Sequence, residues 1–195
     1  LEVAFLNRTK RAMSDVFWQL LEEKPYSKIT VQNIVDCCQV NRNTFYYHFK
    51  DIPDLAEYSI KAWTDQVIQK NCEFGSPISC VTPIVQELMK RRTAFIHIYR
   101  SAHREAFIRY LNEISSYIVQ AYIDTAINRT GLPSENRSTV VRVYKCTLAG
   151  LILDWLDEGA SYDLLAFCEK ICLSFAGAGK RALLGQTNRS FPSHD

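Results

Sequence analysis

A chain of 195 residues, 47% hydrophobic and 23% charged, has the composition of a folded globular protein with a sizeable core, which excludes a disordered chain. Seven glycines and six prolines are about half the usual share, too few for the many tight turns of a β-sandwich or barrel. A net charge of +2 gives no bulk attraction to nucleic acid, so any basic surface has to be local.

The longest apolar run, Leu148–Leu153, falls far short of the roughly 20 residues that span a bilayer. The apolar stretch Val3–Leu6 stops at Asn7 and Arg8, which predicts no signal peptide and a soluble, cytoplasmic protein. Seven scattered cysteines without a Cys-x-x-Cys pair suit a reducing compartment, as small packing residues.

Apolar residues recur at helical spacing along nearly the whole chain, and the expected class is all-α. Ala12, Val16, Phe17, Leu20 and Leu21 predict a first helix from about Thr9 to Glu23, stopped by Pro25. A second starts at Thr30 and runs to Cys38, a third is capped by Asn41 and reaches Phe49, and a fourth begins between Asp51 and Pro53. Gly75, Ser76 and Pro77 mark a break, followed by an interrupted helical segment to Ser101 with Pro83 inside it. Phe107 to Ala121 predict a long helix ending near Gly131, and further helices are expected over 137–158 and 162–178. The expected organisation is a three-helix N-terminal unit over 1–52, a larger helical domain over 53–185, and a disordered tail over 186–195.

The segment Thr30–Lys50 carries the chemistry: a helix, a three-residue connection (Gln39, Val40, Asn41), and a second helix dense in hydrogen-bond donors. That layout suits a recognition helix in the DNA major groove. Phe45 and Phe49 lie four apart and are expected to pack inward on Val31, Ile34, Val35 and Val40. Arg42, Asn43, Thr44, Tyr46, Tyr47 and His48 are then spread over the outer surface. Arginine can grip guanine with two bonds, asparagine adenine, and threonine offers a methyl to thymine, while tyrosine hydroxyls and lysine suit phosphate. A bare helix-turn-helix shape also occurs in proteins that never touch DNA, so plain packing stays open on shape alone.

From about Arg8 to Ile60 the sequence closely resembles the N-terminal domain of TetR/AcrR-family bacterial transcriptional regulators. The resemblance rests on Ile29-Thr30-Val31, Ile34-Val35, Val40, the block Thr44-Phe45-Tyr46-Tyr47-His48-Phe49-Lys50, and Asp54-Leu55. It implies a homodimeric repressor that binds a palindromic operator on double-stranded DNA and is released by a small-molecule effector. It implies a phosphate contact at Thr30, base and backbone contacts at Arg42, Asn43, Thr44, Tyr46, Tyr47 and His48, and a backbone contact near Lys50. Gln39 departs from the family's usual glycine and is expected to be mildly strained in the turn; Asn43, Ile52 and Pro53 depart as well. The string Asn41-Arg42-Asn43-Thr44-Phe45 after Cys38 resembles the branch of dihydroxyacetone-kinase regulators.

Basic residues reinforce that placement only modestly, since residues 1–50 hold Arg8, Lys10, Arg11, Lys24, Lys28, Arg42 and Lys50 against five acids. In the C-terminal half, helices 137–158 and 162–178 are apolar on more than one face, which predicts a four-helix bundle across a two-fold axis. An effector pocket is expected among Trp63, Phe95, Tyr99, Phe107, Tyr117, Tyr122 and Trp155, each of which also fits a plain core. Arg91, Arg92, Arg100, Arg104 and Arg109 make a basic stretch that suits an acidic ligand or a solvated face.

No metal site or cofactor is expected, because His97 and His103 do not share a helical face and Cys168 and Cys172 lack a histidine nearby; the cysteine pairs 168/172 and 37/38 are read as packing. No phosphate loop or nucleophile elbow points to an enzyme. Two alternatives remain: a ligand-independent or partner-controlled coactivator of the same fold, and a helical small-molecule-binding protein without DNA binding.

Overall fold

Pro25, held at φ −56° and ψ 146°, follows the first helix and feeds a single 3-10 turn over Tyr26–Lys28. In the computed structural model, which describes residues 2–70, 76–131, 133, 135–175 and 177–185, the described chain is helical and contains no strand. The helices are α1 (Glu2–Glu23), α2 (Val31–Cys38), α3 (Arg42–His48), α4 (Ile52–Lys70), α5 (Pro77–Lys90), α6 (Arg92–Tyr99), α7 (Arg104–Thr130), α8 (Arg137–Asp157), α9 (Leu164–Ser174) and α10 (Ala178–Leu183). The architecture is an N-terminal helix-turn-helix domain joined to a helical C-terminal domain. No helix among the described residues is long and apolar enough to cross a membrane.

Helix α1 begins at Glu2 rather than near Thr9, since nothing from Glu2 to Arg8 breaks a helix. Its buried face is Met13, Phe17, Trp18, Leu20 and Leu21, whereas Ala12 is exposed: the large side chains set the orientation and a methyl group has little say. α1 packs on α2 and α4, and also on α6, so the N-terminal unit leans on the C-terminal helices.

Pro83 sits inside α5 without ending it; the chain bends instead at Arg91, φ −110° and ψ 30°. α7 ends where Gly131 adopts the left-handed conformation, φ 65°. Asp163 caps α9 by accepting from the Ala166 amide, so that helix opens at Leu164 and closes at Ser174, shorter than the span 162–178. Gly177, φ 76°, then turns the chain into α10, a helix that periodicity did not reveal because six residues offer less than two turns of pattern. Leu183 of α10 is buried, and α10 rests on α8. The expected tail over 186–195 lies outside the described residues.

Candidate nucleic-acid interface

Local hydrogen bonds fix the helix-turn-helix before any long-range packing is considered. The Thr30 hydroxyl accepts from the Asn33 amide and the Asn33 side chain accepts from the Thr30 amide, a reciprocal cap on α2. Lys24 steadies the same Asn33 oxygen at 2.9 Å. Gln39 closes α2 in the left-handed region at φ 54° and ψ 43°, and its neighbour's amide, that of Val40, reaches back to the Val35 carbonyl. Asn41 then caps α3, its side-chain oxygen accepting from both the Thr44 amide (2.8 Å) and the Thr44 hydroxyl (3.1 Å).

Phe45 and Phe49 are buried, with ring centroids 5.8 Å apart, over buried Ile34 and Val35. Seven residues suffice to turn the rest of α3 outward. Arg42, Asn43, Tyr46 and Tyr47 are exposed, Tyr47 by 70%, while Thr44 and His48 are half-buried. Burial, and then the Lys10 charge, hold the His48 imidazole below its ordinary pKa. Lys10 lies over the rings of Phe49 and Tyr58, 5.3 and 5.1 Å from their centroids. The Lys50 amide donates to Asp54, whose own amide donates to Asp51, so the backbone at Lys50 is fixed while its side chain is exposed. Thr30, Arg8 and Arg11 are exposed too. The result is a polar, donor-rich edge on a rigid base, with no acidic residue in α3.

The aromatic residues of the C-terminal half come together only in part. Phe95 sits 4.9 Å from Trp63 and 5.9 Å from Phe107, and Phe107 lies 6.3 Å from Tyr99. Trp18 of α1 joins them at 5.2 Å from Phe95, a member the sequence reading missed because it belongs to the other domain. These rings pack against each other in tilted or edge-on pairs. Trp155 is buried and donates its indole N–H to the Tyr162 carbonyl. Tyr122 is half-buried, and Tyr117 is 46% exposed.

The open clefts touch this cluster at Tyr99 alone. One of about 300 Å³ is lined by Tyr99, Arg100, Ser101, Arg104, Leu156 and Asp157. Another of about 270 Å³ lies between Lys50, Asp54 and Glu57 on one side and His103 and Ala106 on the other.

The basic stretch is largely absorbed into structure. Arg91 covers the Trp18 ring, Arg104 covers Tyr99 and pairs with Asp157, and Arg109 pairs with Glu57. His97 bonds the Leu21 carbonyl at 2.7 Å and the His103 ring lies 4.7 Å from that of Tyr26, tilted by 58°, so both histidines serve contacts between the halves. Cys168 is buried and Cys172 half-buried; Cys38 is half-buried, but Cys37 is exposed, against the packing expected of it. No cluster of three or more metal-ligating side chains occurs among the described residues.

Comparison with known proteins agrees with this geometry. A family model described as bacterial regulatory proteins of the tetR family matches residues 15–58, and one described as a transcriptional regulator C-terminal region matches residues 76–175. No curated protein sequence matches the chain. Among solved structures, the dihydroxyacetone kinase operon activator DhaS is 14% identical with a TM-score of 0.70, the match covering 91% of this chain and 95% of that one. The fatty acid degradation regulator FadR from Bacillus halodurans is 15% identical with a TM-score of 0.60, covering 93% and 97%. With one model on the recognition segment and the other across just over half of the sequence, the chain belongs to the TetR family of bacterial transcriptional regulators.

Proposed function

We propose that the chain is a cytoplasmic repressor that binds a palindromic operator as a homodimer, one α3 per half-site, and leaves it when a small molecule binds the C-terminal domain. The observation that carries this is the outer edge of α3, where Tyr46 and Tyr47 are 56% and 70% exposed beside Arg42 and Asn43. Large aromatic side chains held in water on a rigid helix suit contact with a partner surface better than packing. Thr30, Thr44, His48 and Lys50 complete the contact set, with residues 1–52 as the reading unit.

Residues 53–185 would supply the dimer and the effector site. Val143 on α8, Phe167 and Leu173 on α9, and Phe175 just past its end leave apolar surface exposed, in keeping with a bundle of two helices from each copy. Inside, Trp63 Nε1, Ser59 Oγ and Ser115 Oγ are buried without a hydrogen-bond partner among the described residues. Such orphans cost about 1–3 kcal/mol each, which a ligand with complementary groups entering beside Trp63, Phe95, Tyr99 and Phe107 would recover.

Binding to fragments of the native genome tests the core of this reading. Tyr47→Ala and Lys50→Ala should abolish the gel shift while leaving melting and oligomeric state unchanged, since exposed positions away from caps and core barely affect stability. Retained shifts in both variants would sink it.

A partner-controlled activator is the second reading, favoured by the description of the structurally similar DhaS as an operon activator and by the ring-filled interior. Deleting the gene separates the two: transcription beside the bound fragment rises if the protein represses and falls if it activates.

A further inference from the structure

Arg42 opens α3, and Gln32 stands ten residues earlier on α2, across the turn. The Arg42 Nε–H donates to Gln32 Oε1 at 2.9 Å, and the Gln32 amide donates in turn to Asp36 Oδ1 at 2.6 Å. All three side chains belong to exposed residues, so water competes for each group and none of these bonds is imposed by burial. What the chain of bonds does impose is direction. An arginine is long and rotamer-rich, and tying Nε fixes the plane of its guanidinium before anything binds.

The identity of the tied atom matters. Of the five N–H groups, the one on Nε is engaged, which leaves the four on the two terminal nitrogens. Guanine offers two acceptors in the major groove, O6 and N7, and takes a pair of parallel donors. A side-on fork would need Nε; the end-on fork uses only the terminal nitrogens. The choice of glutamine matters as well. A carboxylate at this position would neutralise the guanidinium, whereas an amide oxygen holds it and leaves its charge for the groove.

We propose that Gln32 is a positioning residue for Arg42, holding it for end-on, two-bond contact with a guanine in each operator half-site. This rests on the operator-binding reading of α3 and sharpens it: one guanine per half-site becomes a determinant of specificity, and Gln32, on the preceding helix, sets how strictly it is read.

Selection from a randomised duplex pool with the full-length wild-type protein defines the bound sequence. Equilibrium binding to that sequence and to its single-position variants then compares wild type, Gln32→Ala, Gln32→Glu and Arg42→Ala, with circular dichroism confirming helix content. Replacing the determining guanine by 7-deazaguanine, which lacks only the N7 acceptor, should weaken wild type by roughly tenfold and leave Arg42→Ala unchanged. Gln32→Ala should shrink that discrimination at the same position alone, keeping its salt dependence because Arg42 is still charged. Gln32→Glu retains an acceptor for Nε and should keep the discrimination while weakening all duplexes evenly.

Full discrimination in Gln32→Ala overturns the proposal, as does an even loss across all duplexes with a shallower salt slope, the mark of a phosphate contact. Either result leaves the operator reading intact. A wild-type protein that enriches no sequence overturns that reading and this proposal together.

Discussion

Gln39 holds the left-handed region at φ 54° and ψ 43°, a conformation that costs an ordinary L-residue about 1–2 kcal/mol. Glycine avoids that cost but loses more backbone freedom on folding, about 0.5–1 kcal/mol. Gln39→Gly should therefore stabilise the protein by roughly 0.5–1 kcal/mol, read as a higher denaturation midpoint with an unchanged slope; a destabilised variant would mean that the Gln39 side chain contributes something its exposure conceals. This strain was legible in advance, from a glutamine where the resembling family carries glycine, as were the Asn41 cap and the inward Phe45 and Phe49. All of these depend on neighbours within a few residues. The setting of His48 was not legible, because Lys10 lies a whole helix away in sequence. The imidazole is held below 6.5 by burial and then by Lys10, so the unfolded chain takes up its proton first as pH falls. Stability from this group is thus intact above about pH 6.5 and is lost progressively below it, until the folded form also protonates. Lys10→Met keeps the apolar stem over Phe49 and removes the charge. It should move the His48 midpoint up towards 6.5 in an NMR titration, and an unmoved midpoint would remove Lys10 as a cause.

Between elements, the contacts that matter join helices distant in sequence. The turn between α7 and α8 is closed by Arg137 gripping Asp124 with two bonds, 2.5 and 2.7 Å long. That grip, through hydrogen bonding first, holds the Asp124 carboxyl below its usual 3.8. A carboxyl lowered in the folded state stabilises above its unfolded pKa and loses that contribution as pH falls through its folded one. Arg137→Ala should therefore lower the urea midpoint at neutral pH and differ less and less from wild type as pH drops below about 4. A difference that persists undiminished at low pH would show that Arg137 acts by packing alone. The existence of α7 and α8 could be read from periodicity and from Gly131, but the register of one against the other could not, because nothing local ties position 124 to 137. Helix ends were the weakest part of the reading for a related reason. Pro83 is the stronger breaker in a sequence, yet α5 runs through it and the bend falls at Arg91, whose guanidinium lies 5.3 Å from the Trp18 ring centroid.

Across the whole molecule, α1 packs on α6, His97 reaches the Leu21 carbonyl, and Glu57 of α4 holds Arg109 and Tyr110 of α7. The two halves recognised separately in the sequence are therefore mechanically joined, and Trp18, absent from the expected pocket, sits at that junction against Phe95. The operator model further requires a second copy, since two recognition helices must meet half-sites about 34 Å apart. The proposed surface for that copy is α8 and α9. Leu173 is 77% exposed, Phe175 62% and Val143 56%, and covering such side chains is worth about 25 cal/mol for each Å² removed from water. Leu173→Glu places a carboxylate there in each copy, and a two-fold axis would desolvate both. Because Leu173 contributes little to the fold of one chain, helix content should survive while sedimentation shifts from dimer to monomer. The monomer keeps an intact α3 and should still bind half-sites, with about half the salt slope of the dimer because it releases half the counterions. A variant that stays dimeric, or a monomer with the full slope, would mean that the two-fold axis lies elsewhere on the molecule.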